Sequence, residues 1–131
     1  MKSFFSKYKI FFILMNILLI FLYLYPGSFL GCLFYNDCGL QPQITKDFLV
    51  STNHLYAFFI LSIIGLFTYS KKKEIKILIL YLFLISIFLE ISHNFIPNRN
   101  FEWTDVFGNI FGVLLSIIIF KLLKKNKTFK K

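Results

Sequence analysis

The chain has 131 residues and is 57% hydrophobic, with 19 phenylalanines and 16% charged residues. That length supports one domain, residues 1–131, and a soluble fold of this size leaves too much surface in water to hide so much apolar material. The 15 Lys+Arg against 6 Asp+Glu give a net charge of +9. The lysines cluster between apolar runs, and no groove-reading or base-stacking motif accompanies them. Nucleic acid is therefore not expected as a partner, and the bilayer is.

Taken in chain order, four apolar segments are expected to form transmembrane helices, at about residues 10–25, 53–70, 75–95 and 105–123. The runs are continuous rather than alternating, which argues against strands. Several fall a little short of the ~20 residues a spanning helix needs, and flanking Tyr, Phe and snorkelling Lys extend them into the interface. The first helix ends at Pro26-Gly27 and carries Asn16, expected to hydrogen-bond a neighbouring helix. Lys2 to Lys9 followed by an apolar run resembles a secretion signal. Pro26, and the poor fit of Phe29 and Leu30 in "SFLGC" to a lipoprotein cleavage box, favour a retained helix.

The connection 26–52 mixes apolar and polar residues and is expected to lie partly in the interface. It holds Cys32 and Cys38. On an external face these can close a disulfide, with two spare thiols as the alternative. Neither a CxxC pair nor a Cys/His zinc spacing is present.

Lysine placement gives the expected orientation. Lys2, Lys7 and Lys9 precede the first helix, Lys71, Lys72, Lys73 and Lys76 join the second and third, and Lys121, Lys124, Lys125, Lys127, Lys130 and Lys131 follow the fourth. With four spans these three regions share one side, and only Lys46 and Arg99 are left for the other. The positive-inside rule then places both termini in the cytoplasm. The expected fold is an all-α membrane protein, a bundle of four transmembrane helices in the inner (plasma) membrane, with external loops 26–52 and 96–104.

Three polar groups of residues approach the external face. The second helix opens with "STNHLYAFF", where Ser51, Thr52 or Asn53 can cap it and His54 sits in the first turn. The third closes with "LEISHNFIP". Glu90 lies five residues before Phe95, roughly 8 Å below the helix end at 1.5 Å per residue. A carboxylate there is costly unless it is paired, protonated or hydrated, and His93 and Asn94 share its face. The fourth helix opens with "WTDVFGNIFG". Asp105 or Thr104 can cap it, Asn109 is one turn below Asp105, and Gly108, Gly112 and Ser116 form a small-residue stripe suited to close helix packing. Tyr23, Tyr25, Tyr56, Tyr69, Phe101 and Trp103 read as interfacial belt residues, and the C-terminal "KKNKTFKK" as a lysine tail near anionic headgroups.

The order of these pieces is distinctive. A histidine opens one apolar helix, and a later one ends in a glutamate, a polar residue at i+3 and "FIPNR". A short loop then leads to D-x-x-x-N-x-x-G. Over about Asn53 to Phe120 the chain resembles the VanZ-like family of small bacterial membrane proteins, on His54, Glu90, Phe95, Arg99, Asp105, Asn109 and Gly112. The family often has glutamine where His93 stands. The resemblance implies a four-helix envelope protein, and the founding member is linked to tolerance of the glycopeptide teicoplanin.

Three functions fit the residues. In the first, Glu90, Arg99, Asp105 and Asn109 form a hydrogen-bonded network that ties helix ends together or receives an anionic or glycan-bearing envelope ligand, with the Arg99 fork as anion binder. An internal Arg99–Asp105 or Arg99–Glu90 pair is the purely structural version. The second is an enzyme acting on a lipid-linked substrate. Here His54, Glu90, His93 and Asp105 would hold a metal, or a histidine would act as general base; one Glu-x-x-His is a weak motif. The third is a proton-coupled transporter, for which Glu90 lies nearer a surface than the midplane. No cofactor is expected on the first reading, and no catalytic residue is assigned.

Overall fold

The computed structural model describes residues 2–129, with side chains described for residues 8–127. Lys130 and Lys131, and the side chains of Lys2 and Lys7, lie outside the described residues. The secondary structure is helical, and no strand occurs among the described residues. Helix α1 is Lys2–Leu24, α2 Phe29–Tyr35, α3 Thr52–Thr68, α4 Lys72–Ser92 and α5 Trp103–Phe129, with a 3-10 turn at His93–Phe95.

Apolar length selects the candidates for spanning helices. Lys72–Phe95 and Trp103–Lys127 are each long and apolar enough to cross a membrane. A third span exists if Tyr8–Leu24 and Phe29–Tyr35, bent by 84° from one another, are counted as one. Thr52–Thr68 is apolar but shorter, and its 17 residues rise only about 25 Å. Helix α2 lies inside the connection expected to be irregular. Ser28 caps it by accepting a hydrogen bond from the Gly31 N–H at 3.0 Å, and Asn36 ends it in a left-handed conformation at φ 51°. A Cys32–Cys38 disulfide ties its last turns to the following loop. At the other end of the chain α5 continues beyond Leu123 to Phe129, so part of the lysine tail is helical.

Helices α3 and α5 form the closest pair, made possible by the small-residue stripe. A Cβ on Gly108 would stand 2.5 Å from the Ser51 carbonyl oxygen, and one on Gly112 would collide with the Leu55 carbonyl oxygen. Helix α4 packs on α5, and α1 packs across α3 and α4. Between them Phe12, Leu19, Phe58, Leu61, Leu82 and Val113 are buried. Large apolar side chains also face outward along every long helix, among them Ile10, Leu14, Leu80, Phe88, Phe111 and Leu122. A water-facing protein does not carry such a belt, whereas a bilayer covers it without cost. Asn16 donates to the Tyr81 hydroxyl at 2.5 Å, joining α1 to α4.

Candidate functional site

The polar residues converge at one end of the bundle. Backbone geometry brings them together first: the Ser51 N–H donates to the Thr104 carbonyl at 3.2 Å, which locks the start of α3 to the start of α5. His54 therefore stands beside Asp105, with Nδ1 to Oδ1 at 3.4 Å. The last turn of α4 points Glu90 into the same space, where it is completely buried.

Glu90 is held by one oxygen. Its Oε1 lies 3.0 Å from His93 Nδ1 and accepts from the Glu102 N–H at 3.2 Å. The other nitrogen of His93, Nε2, lies 3.0 Å from the Tyr23 carbonyl oxygen. A carbonyl only accepts, so Nε2 carries a hydrogen, and the Nδ1–Oε1 contact needs one further proton on either atom. The second carboxylate oxygen, Oε2, has no hydrogen-bond partner. It faces His54 Nε2 across 4.0 Å. On the far side of that imidazole, Nδ1 is 2.7 Å from the Ser51 hydroxyl.

Tyr23 completes the cluster and is not a belt residue. It is 7% exposed, stacked on His93 and edge-on to His54. Its hydroxyl donates to Asn109 Oδ1 at 2.6 Å, and Asn109 Nδ2 donates to the Ser86 carbonyl at 3.0 Å. Nothing in "FLYLY" separates Tyr23 from Tyr25, because an interfacial tyrosine and a core tyrosine have the same sequence context. A helical turn of packing decides between them.

Several expected roles differ in the structure. Arg99 pairs with neither Asp105 nor Glu90; its Nη2 donates to the Leu22 carbonyl at 2.9 Å and its Nε to that of Tyr25 at 3.2 Å. It caps the end of α1, where unsatisfied carbonyls and the helix dipole favour a cation. Burial lowers its pKa, and the Glu90 carboxylate acts in the opposite direction. Asn94 is exposed and apart from the cluster, because the chain tightens into a 3-10 turn at His93 and the i+4 position leaves the Glu90 face. Asp105 does not cap α5. The Glu102 carbonyl accepts the first helical N–H groups, and Asp105 lies in the first turn. Ser51 occupies the α3 cap position with its side chain turned to His54, and Asp47 Oδ1 accepts the Thr52 N–H at 2.9 Å instead. For a metal, donor atoms of His54, Glu90 and Asp105 lie within 4.8 Å of one another, while both nitrogens of His93 already have partners.

Beside the cluster is a cavity of about 390 Å³, within the ~300–1,000 Å³ range of small-molecule sites. Phe29 and Phe34 of α2, Ile44 of the loop, and Ala57 and Ile60 of α3 give it an apolar lining, and His54 and Arg99 form part of its wall.

An all-helical membrane protein with a buried histidine–carboxylate cluster at one end of the bundle is the class these observations define. The chain belongs to the VanZ/LLP1 family, whose model matches residues 2–124, including the first helix and the disulfide-closed segment. No match was found among curated proteins or among solved structures.

Proposed function

We propose that this is a four-span inner-membrane protein with both termini in the cytoplasm, whose external polar site receives an amphiphilic, lipid-linked envelope precursor and so modifies tolerance to glycopeptides of the teicoplanin type. The observation that carries the reading is the cavity between α1, α2 and α3, apolar over most of its wall and bounded by Arg99 and His54. A lipid tail suits the apolar part, and a phosphate or carboxylate suits the guanidinium donors that the α1 carbonyls leave free. Family membership supports an envelope role. The lysine distribution supports the orientation, with α3 as the short fourth span and α2 as an interfacial segment after the bend.

Glycopeptide susceptibility of a deletion strain, complemented with wild type, Arg99→Gln or Ala57→Phe, tests this reading. Wild type is expected to restore tolerance, and both variants to fail at equal membrane abundance. Full complementation by both would refute it. Reporter fusions at Gly39 and Lys131 are expected to report opposite sides of the membrane.

A further inference from the structure

We propose that His54, Glu90 and Asp105 form a binding site for one divalent cation of the zinc or manganese class. The proposal goes beyond the lipid-binding reading and does not depend on it. The three side chains come from three helices, α3, α4 and α5, and one donor atom from each lies within 4.8 Å of the other two. Around zinc, bonds of ~2.0–2.2 Å place tetrahedral donors roughly 3.4 Å apart. Closing the group onto an ion therefore needs the donors to approach one another by about an ångström.

A second observation points to a ligand. Glu90 Oε2 is buried without a hydrogen-bond partner, which is costly for any polar atom in an apolar bundle. The carboxylate is not misplaced, because its other oxygen is fixed by His93 and the Glu102 N–H. One oxygen held and one presented is the arrangement expected of a metal-ligating carboxylate with its supporting shell.

His54 is arranged in the same way. The Ser51 hydroxyl sits on Nδ1 at 2.7 Å, Asp105 Oδ1 lies 3.4 Å from the same nitrogen, and Nε2 faces Glu90 Oε2. Asp105 supplies the entry route, since its side chain is 16% exposed whereas that of Glu90 is 0% exposed. One imidazole and two carboxylates suit a borderline divalent ion better than calcium or magnesium, which prefer an all-oxygen shell. The Arg99 charge opposes a cation, but two carboxylates converge here and the guanidinium is turned toward the α1 carbonyls. Three protein ligands leave a coordination position open to water or to an anionic oxygen.

The test uses full-length protein in detergent, with the affinity tag removed and metal stripped by chelator, titrated with Zn2+ and separately with Mn2+ by calorimetry. One ion per chain is expected for at least one of the two metals, with affinity roughly 10- to 100-fold weaker or lost in Asp105→Asn, His54→Gln and Glu90→Gln. Co2+ substitution is expected to give ligand-field bands without a thiolate charge-transfer band, since both cysteines are in the disulfide. If Glu90→Gln does not fold, Asp105→Asn, in the accessible first turn of α5, carries the test. Folded wild type that binds neither ion, or binding unchanged in both Asp105→Asn and His54→Gln, would overturn the proposal.

Discussion

Below the polar end of the bundle, two hydroxyls bond to their own helix: Thr68 donates to the Ile64 carbonyl and Ser116 to that of Val113, each within about one turn. At the polar end itself several bonds cross between elements. Tyr23 of α1 reaches Asn109 of α5, Asn109 reaches the α4 backbone, and His93 and Arg99 both reach carbonyls at the end of α1. Local bonds satisfy a hydroxyl without fixing one helix against another, so there the helices rely on packing, with the Asn16–Tyr81 bond as an inter-helix exception. In the second region Tyr23, Asn109, His93 and Arg99 each depend on a partner from another element, and removing one strands another in a dry environment. That dependence is accepted where the residues gathered, rather than the packing, matter most.

Four substitutions test the difference between the two ends, each read as thermal unfolding of purified protein in detergent. Glu90→Leu has the largest expected effect, about 3 kcal/mol or more, because it strips the acceptor from the Glu102 N–H and the partner from His93 Nδ1. Gly112→Val comes next, at about 2–3 kcal/mol, since its side chain would press on the α3 backbone at Leu55 and Phe59. Tyr23→Phe keeps the ring packing but leaves Asn109 Oδ1 without its donor, an expected loss of about 1–2 kcal/mol. Ser116→Ala at the locally bonded end is expected to change stability by no more than about 0.6 kcal/mol. A Ser116→Ala cost equal to that of Tyr23→Phe would remove the distinction between the two ends.

The helical content follows directly from the continuous apolar runs, and Glu90, His54, Asp105 and Asn109 stand out as polar residues at helix ends. Their meeting was legible too, because helix direction fixes which ends adjoin. What the sequence does not carry is angle and register. The 84° bend after α1 and the short helix α2 depend on a capping serine and a disulfide among residues that also fit a loop. The side on which Asn94 falls depends on one 3-10 turn. Opposite charges make an internal Arg99–Asp105 or Arg99–Glu90 pair the natural structural reading of the sequence, yet the terminal carbonyls of α1 compete for the guanidinium and take it instead. Tyr23 needed a partner on α5, far along the chain, to be recognised as a core residue.

The most direct test of the polar end as a binding site is native mass spectrometry of the protein with a polyprenyl phosphate, wild type against Ala57→Phe, which adds bulk to the cavity wall and removes no member of the hydrogen-bonded cluster. Saturable binding of one lipid per wild-type chain is expected, with loss in Ala57→Phe at unchanged unfolding temperature. Equal binding by the two proteins, or none by the wild type, would contradict the assignment.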